Sequence, residues 1–333
     1  MEVQGFLKNL IQNIPQYSLT EDDNNKIRFE GLLTYIFSKV NSSKYRSIAL
    51  SEDLKKSFRE KISCCVENKL PIHFSLPFGA YKNPNLPTTP YPDWAEVFSL
   101  SYLREYFTPI AAAYPPGVLM DFFMVELFVE RLNRNPQEHV DSYVKQFNEL
   151  LEQFSKFLPP NIKFISTNLR SQISQKEAIK RLDKKVEELR QTWDQLPKKD
   201  REYKLLRAKR NVIIRPEDKG QENKIYLESA LAHDAFSSEA WADETIPWAF
   251  VKDMLPIGYS YTQGWAIHLR SCVSSTINYW VGTGALRQKG ESYIPTILST
   301  NQYQEVKGKI KMEKISLFDQ KFVNLQQIPI IKS

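Results

Sequence analysis

Hydrophobic positions change their spacing along the chain, and the change predicts alternating helices and strands. In residues 1–69 apolar side chains fall at helical intervals, and Ser51 followed by two acids has the composition of a helix N-terminus. Residues 71–78, PIHFSLPF, instead form a short apolar run with a proline-containing end. Such a run is too short for an independent helix and predicts a buried strand.

The same alternation continues through the next ninety or so residues. A helix is predicted to begin at Asp93, because an acid after proline suits a helix entry, and YPPG at 114–117 ends it. The first half of 118–132 has strand-like residues, an amphipathic helix is predicted at 136–158, and a third strand at 161–167. Strand, helix, strand, helix, strand predicts an α/β fold with a Rossmann-like, mostly parallel sheet flanked by helices.

Positive charge is concentrated in one segment, which we call the basic arm (residues 176–211). Between Lys176 and Arg210 the chain has 13 Lys or Arg and 7 Asp or Glu, so this stretch carries the whole net charge of +6. Apolar residues at intervals of three and four predict a long helix, and Pro197 separates it from a second one. This stripe consists of Ile179, Leu182, Val186, Leu189, Trp193 and Leu196. We expect two helices packed against the body of the protein.

The expected organisation has four parts that pack as one unit. They are an N-terminal helical segment (1–70), a Rossmann-like α/β core (71–175), the basic arm (176–211) and a C-terminal α/β part (212–333). The C-terminal part is expected to be rich in β structure, because aromatic, Thr, Ser and Ile residues are frequent beyond Trp265.

The overall composition excludes several classes of protein. Hydrophobic residues make up 42% and charged residues 25% of the chain, values that exclude disordered and fibrous proteins. No run of about 18 apolar residues occurs and the first residues do not resemble a secretion signal, so we expect a soluble, cytoplasmic protein without membrane association. Cys64, Cys65 and Cys272 suit neither a disulfide framework nor the spacing of metal ligands, so we predict reduced thiols and no metal.

The loop between the first predicted strand and the following helix carries the candidate chemistry. Ligands of open parallel sheets bind outside the carboxyl ends of the strands, where this loop begins. Lys82, Asp93 and Glu96 are therefore expected at the mouth of a crevice, on a loop that its prolines stiffen. The alternative is an ordinary surface loop in which Asp93 only caps the helix.

A resemblance to a known family rests on this loop and its surroundings. The motif reads Lys82-x-Pro84-Asn85, then Pro92-Asp93-x-x-Glu96, then a leucine-containing helix and YPPG before a strand. It resembles the isocyanide (isonitrile) synthase family over about residues 71–167. The resemblance implies a Rossmann-type fold and an enzyme that joins the nitrogen of an amino acid to a carbon of ribulose 5-phosphate, without a cofactor.

The chain departs from the family pattern at two places. Met124-Val125-Glu126 stands where an Asp-Gly turn is expected, and Ile246-Pro247-Trp248 lacks the histidine of a Pro-Trp-His element. At both places the residues of the family pattern are absent, so other residues of this chain would have to take over their roles.

The chemistry of imine formation fits the resemblance. The reaction needs an acid or base near the carbonyl group and cations for the phosphate. The predicted catalytic residues are Lys82, Asp93, Glu96 and His268. The predicted substrate-binding residues are Tyr81, Asn85, Arg170, Arg215 and Arg270, and arginine suits phosphate or carboxylate because it binds them with two hydrogen bonds.

Several of these residues also have simple structural interpretations. The three arginines equally suit surface ion pairs. His268 and Arg270 would face the same side of a strand, yet a strand histidine is often only packed. His233 beside Asp234 suits a structural role, because adjacent residues on a helix point to different sides.

Gly282-Thr283-Gly284 after an apolar stretch has a simple interpretation as well. A phosphate-binding loop would need a third glycine at position 287, where the chain has arginine, and a helix beyond it. We therefore interpret Gly282 and Gly284 as part of a tight turn.

Two hypotheses of other classes remain alongside the enzyme. The basic arm could bind nucleic-acid phosphates, although its acids and regular apolar stripe argue against such a partner. The chain could also be a non-catalytic interaction protein that keeps the fold. For the enzyme, the expected partners are an amino acid and a sugar phosphate, and a homo-oligomer is possible.

Overall fold

The computed structural model describes residues 2–242, 254–258 and 267–332. In this part of the chain the helices are α1 (Val3–Gln12), α2 (Glu21–Glu30), α3 (Leu32–Val40), α4 (Glu52–Glu67), α5 (Trp94–Ala113), α6 (Val129–Asn133), α7 (Gln137–Ser155), α8 (Gln175–Thr192), α9 (Lys198–Asn211), α10 (Glu222–Ala242) and α11 (Thr300–Val306). The strands are β1 (Ile72–Phe78), β2 (Val118–Met124), β3 (Ile162–Asn168), β4 (Leu255–Gly258), β5 (Ile267–His268), β6 (Gly282–Lys289), β7 (Ser292–Ser299), β8 (Ile310–Lys314) and β9 (Gln327–Ile331).

The first sheet is parallel throughout, with the strand order β3-β2-β1-β4-β5. Its register pairs Ile72 of β1 with Val118 of β2, and Val118 with Ile162 of β3. The chain therefore enters this sheet at the middle strand, β1, continues outwards through β2 to β3, and crosses back to β4 on the other side of β1. The predicted mostly parallel α/β fold is confirmed, as are the three strands predicted in its first half.

The two faces of this sheet bury different cores, because successive side chains of a strand point to opposite sides. Phe74 and Phe122 belong to the main core, which also contains residues of α5 and α7. Phe123 points the other way and packs in a second core with residues of α8 and α10. The sheet is therefore covered by helices on both faces.

Helix α5 is buried along nearly its whole length. It begins directly after Asp93, as predicted, and contacts β2 and β3 of the first sheet and β6 and β7 of the second. A helix that is apolar on all sides needs packing partners on all sides. Helix α5 accordingly lies between the two sheets, and its N-terminus reaches the region of the candidate site.

The second sheet is mixed and has the order β7-β6-β9-β8. Strands β6 and β7 are antiparallel, and β6 and β9 are parallel. The tight turn predicted at Gly282 and Gly284 is wrong, because both glycines belong to the start of β6. The reason is packing: a Cβ on Gly284 would lie 2.3 Å from the backbone nitrogen of Ala95, so only glycine lets β6 approach α5 here.

The basic arm forms the two predicted helices, α8 and α9, on either side of Pro197. The apolar stripe is confirmed, since Leu182, Val186 and Trp193 are buried in the second core. Both helices pack against α10. Strands β4 and β5 lie in the C-terminal part of the chain, yet they complete the first sheet. The division of the chain into four parts at residues 70, 175 and 211 stays a prediction.

No helix among the described residues combines the length and apolar character needed to cross a membrane. Cys64, Cys65 and Cys272 form no disulfide, and Cys64 is exposed.

Candidate functional site

The order of the strands identifies one place as the natural ligand crevice. Connections leave β1 towards β2 on one side, and β4 pairs with β1 on the other. In open α/β sheets ligands bind at such a switch point, outside the carboxyl ends of the two strands. Gly79, Ala80 and Tyr81 follow directly after β1 and form a turn at this edge of the sheet.

The turn after β1 has an unusual backbone. Ala80 has φ +52°, in the left-handed region that costs a non-glycine residue about 1 to 3 kcal/mol. A Cβ on Gly79 would lie 2.3 Å from the ring of Tyr81, so the ring folds back closely over this glycine and would have to shift for any larger residue. The phenol ring is 5% exposed and packs in a small cluster with Val129 and Val140. Tyr81, predicted to bind substrate, therefore lies at the switch point.

Behind this turn, Lys82 is the centre of a buried ionic cluster with Asp93 and Glu96. Its Nζ donates to Glu96 Oε1 at 2.9 Å and Oε2 at 2.8 Å, and lies 3.1 Å from Asp93 Oδ1. It also donates to the backbone oxygen of Tyr279 at 2.9 Å. The ammonium group is thus surrounded by acceptors from three residues in two other segments of the chain.

The two carboxylates of the cluster also fix the start of α5. Asp93 Oδ1 accepts from the backbone nitrogen of Ala95 at 2.7 Å, and Glu96 Oε2 accepts from the backbone nitrogen of Asp93 at 2.7 Å. This reciprocal arrangement is a capping box, which satisfies backbone donors that the first turn of a helix leaves free. The predicted helix-capping role of Asp93 is confirmed, and it is combined with the ion pair to Lys82.

The same carboxylates reach the second sheet and α7. Asp93 Oδ2 accepts from the hydroxyl of Thr283 at 2.8 Å, and Oδ1 accepts from the backbone nitrogen of Gly284 at 3.2 Å. Tyr143 of α7 donates to Glu96 Oε1 at 3.0 Å. The cluster therefore joins the loop after β1, the start of α5, the middle of α7 and the start of β6.

Burial dominates the electrostatics of the cluster. Desolvation raises the pKa of Glu96 to about 7, although the ammonium of Lys82 opposes the shift and the carboxylate of Asp93 adds to it. Desolvation likewise raises the pKa of Tyr143 well above its usual value, and the neighbouring Glu96 carboxylate adds to this effect. Tyr143 consequently stays a neutral donor at any ordinary pH.

The position predicted for these three residues is wrong in one respect. Lys82, Asp93 and Glu96 come together as expected, but they are 1%, 1% and 0% exposed rather than at the mouth of a crevice. The polar atoms of the cluster bind one another and the surrounding protein. The residues are buried because they connect two sheets and two helices, an arrangement that no local pattern in the loop reveals.

Two further residues lie at the carboxyl ends of β2 and β3. Arg170 follows β3, is half-exposed, and pairs with Asp141 at 3.3 Å and, more distantly, with Glu126 at 3.9 Å. Glu126 follows β2, is 3% exposed, and accepts from the backbone nitrogens of Leu169 and Arg170. Burial raises its pKa. The sequence reasoning missed Glu126, although an acid directly after an apolar strand is a usable signal.

His268 and Arg270 do not share an environment. His268 ends β5, at the same edge of the sheet, and is 3% exposed, whereas Arg270 is exposed beyond the strand. The prediction that both face one side of a strand is wrong, because β5 ends at His268 and the chain then bonds to the segment around Tyr45 and Arg46. His268 alone of the two lies at a strand end.

The remaining sequence candidates lie away from the strand ends. Asn85 is exposed, and its backbone nitrogen donates to the side chain of Asn83. Arg215 is exposed after α9, and its backbone nitrogen donates to Asp218. His233 contacts Asn133 at 2.8 Å, while Asp234 pairs with cations of α9, so the two point to different partners as predicted.

A cavity of about 610 Å³ lies beside the second core. It is lined by residues of α6, α8 and α10 and of the segment between α9 and α10, and none of the predicted site residues lines it. Its cations are Arg131, Arg134 and Lys224, which the sequence reasoning did not single out. These residues carry no motif and meet only because three helices converge.

Many basic side chains of the arm are engaged in ion pairs. Arg190 binds Glu228 with two hydrogen bonds, at 2.7 and 2.9 Å, and Arg201 pairs with Asp194. The nucleic-acid hypothesis stays an untested prediction, and the pairing reduces the charge that the arm could offer to phosphates.

The comparisons with known proteins identify the fold. No family model matches the chain, and no curated protein matches it. Among solved structures the chain is similar to the PvcA protein from Pseudomonas aeruginosa, with a TM-score of 0.63 and 15% sequence identity. The match covers 91% of this chain and 99% of PvcA. At this identity the likeness shows a common fold over nearly the whole length of both proteins.

Ile246-Pro247-Trp248, the second departure from the family motif, lies outside the described residues.

Proposed function

We propose that the protein is an isocyanide-synthase-like enzyme. It condenses the amino group of an amino acid with a pentulose phosphate of the ribulose 5-phosphate type and forms an isonitrile or a related product. The observation that carries the proposal is that the residues of the family-like motif, Lys82, Asp93 and Glu96, meet within 3.1 Å directly behind the switch point. The fold shared with PvcA supports a distant relationship to isocyanide synthases.

In this proposal the ionic cluster positions the site rather than contacting substrate. Lys82 is the next residue after Tyr81, and its four acceptor contacts fix the end of the turn. A buried, fully bonded cluster restricts motion, and a rigid support is what an active-site turn needs. Its role is to hold the strained turn at Ala80 in place while ligands enter and leave.

The residues at the strand ends are the ones proposed to meet the substrates. Arg170 is a half-exposed cation at this edge and would bind the phosphate or carboxylate. Glu126, at the end of β2 and close to Arg170, would transfer the proton to or from the imine nitrogen. His268 ends β5, three strands away from β2, and stays a prediction for the far end of the same crevice. Asn85, Arg215 and Arg270 stay substrate-binding predictions, supported by the family resemblance and by their polar chemistry.

The direct test is product formation. Purified full-length protein is incubated with single amino acids and ribulose 5-phosphate, and the products are examined for the isonitrile infrared band and the matching mass. A new isonitrile supports the proposal. Absence of product across the full set of amino acids contradicts it, provided that the protein is folded by circular dichroism.

A variant pair links the activity to the strand ends. Arg170→Gln is expected to raise KM for the sugar phosphate about tenfold or more, because a charged hydrogen bond contributes roughly 1.5–3 kcal/mol. Lys163→Gln removes an exposed charge from the same strand, β3, and is expected to leave KM unchanged. Equal KM values for the two variants would remove Arg170 from the site without removing the proposed reaction.

A further inference from the structure

The cavity beside the second core is separated from the strand-end crevice by α6. Val129 of this helix packs in the cluster that contains Tyr81 and Val140. The next residues, Glu130 and Arg131, line the cavity on the other side of the helix. A volume of about 610 Å³ falls within the range of small-molecule sites. The cavity is therefore large enough for a ligand and distinct from the crevice.

One part of the cavity wall is apolar. It consists of Leu127, Leu132, Ile179, Val212 and Ile225. Leu127 and Val212 are buried, and the others are buried or partly buried, so this part of the wall is fixed by the surrounding core. An aliphatic side chain of a ligand would be removed from water here, and the burial of apolar surface favours binding.

Part of the charge around the cavity is already neutralised. Arg134 binds both oxygens of Asp218, at 2.5 and 3.0 Å, and a carbonyl group as well. Glu228 accepts two hydrogen bonds from Arg190. A ligand would have to break these bidentate pairs to use their members, so they form wall rather than binding groups.

Three other charged groups keep free capacity. Arg131 donates its Nε to Asp183 at 2.9 Å, while its Nη2 lies 3.7 Å from Glu228, beyond hydrogen-bond distance. Lys224 and Glu130 are exposed and make no ion pair with any residue that the structure describes, although Lys224 acts electrostatically on Glu228. The cavity thus offers two cationic donors and one carboxylate, together with an apolar wall.

We propose that this cavity binds a free α-amino acid with an aliphatic side chain. The carboxylate of the ligand is recognised by Arg131 and Lys224, its ammonium group by Glu130, and its side chain by the apolar wall. A ligand with both charges matches the free groups, whereas a simple anion leaves Glu130 unpaired beside it. The site does not depend on the proposed reaction, which is assigned to the crevice on the other side of α6.

The test is calorimetric titration of the full-length protein with L-leucine. Glu130→Gln and Lys224→Gln are each expected to weaken L-leucine binding about tenfold or more, since each removes one charged hydrogen bond. Both side chains are exposed and unpaired among the described residues, so the variants are expected to fold. Isocaproate, which lacks the amino group, and isoamylamine, which lacks the carboxylate, are expected to bind at least tenfold more weakly than L-leucine.

Matched controls make the result specific. Glu217→Gln and Lys219→Gln remove the same charges from exposed positions near the cavity that do not line it, and L-leucine binding is expected to be unchanged. Absence of L-leucine binding to the wild type at millimolar concentration overturns the proposal. So does equal binding by the wild type and the Glu130 and Lys224 variants, because the amino acid then binds elsewhere. Isonitrile formation is measured separately, so a failure here is distinct from failure of the proposed reaction.

Discussion

Removing the ammonium group of Lys82 is the sharpest test of the ionic cluster. In Lys82→Met a flexible apolar chain of similar length replaces the lysine, and the carboxylates of Asp93 and Glu96 lose their buried cation. Breaking a buried ion pair by removing one partner costs about 3 to 5 kcal/mol. Protonation of Glu96 would relieve part of this cost, since its pKa is already raised to about 7. We therefore expect a loss of about 3 kcal/mol or slightly more at pH 8.

The expected loss is large enough for a simple thermal measurement. An unfolding entropy of about 2.1 cal/mol/K per residue gives roughly 0.7 kcal/mol/K for a chain of 333 residues. A loss of about 3 kcal/mol then lowers the melting temperature by about 4 °C. The assay is thermal unfolding followed by circular dichroism, at one protein concentration and one heating rate.

Two further variants test the expected loss of stability. Lys8→Met changes an exposed lysine of α1, which makes no ion pair with any other described residue, and is expected to shift the melting temperature by less than about 1 °C. The variants Lys82→Met and Glu96→Leu are also combined in one double variant. The losses of stability in the two single variants should sum to more than the loss in the double variant, because the two residues interact directly. A Lys82→Met protein as stable as Lys8→Met would show that the cluster contributes nothing to stability.

Three further predictions concern the same region and its surroundings. Desolvation raises the pKa of Glu96 in the folded state from 4.5 to about 7, so the folded state binds more protons than the unfolded state between these pH values. The free energy of unfolding of the wild type should therefore fall relative to that of Glu96→Gln as the pH rises from about 5 to 7. The same pH dependence of this free energy in both proteins, measured by urea unfolding, would contradict the prediction. Gly284→Ala should lose about 1 to 3 kcal/mol in urea unfolding, because its Cβ would meet the backbone of Ala95, whereas Gly308→Ala, with open space around it, should not. Arg104→Met should speed amide hydrogen exchange in α1 selectively, since the guanidinium, 2% exposed, donates to two backbone oxygens at the end of that helix at 2.6 and 2.7 Å; unchanged exchange there would refute its anchoring role.

The position of the ionic cluster illustrates how far local patterns extend. Pro92-Asp93-x-x-Glu96 is a helix-start pattern, and the capping box at α5 follows from it because every bond involved joins residues within three positions. The contact of the same Asp93 with Thr283 joins positions 190 residues apart. A sequence pattern carries no information about such a pairing, so the burial of the cluster was not predictable from the loop.

The same distinction applies to the crevice and the cavity. Arg170 and Tyr81 were predictable as candidates because each lies shortly after the end of a predicted strand, and the end of a parallel strand fixes where such a residue lies. Glu130, Arg131 and Lys224 were not, because α6 and α10 are distant in the chain and each of their charges suits a solvated helix face equally well.

Local sequence patterns specified three strands of the first sheet, β1, β2 and β3, together with the start of α5 and the two helices of the basic arm. Hydrophobic spacing and capping residues act over a few positions, and this range is enough to specify a strand or a helix. Three other features come from tertiary packing: Gly282 and Gly284 belong to a strand, Lys82 is buried, and β4 and β5 complete the first sheet. These features depend on which surfaces meet after the chain has folded, and the energy of that packing is shared among residues far apart in the sequence.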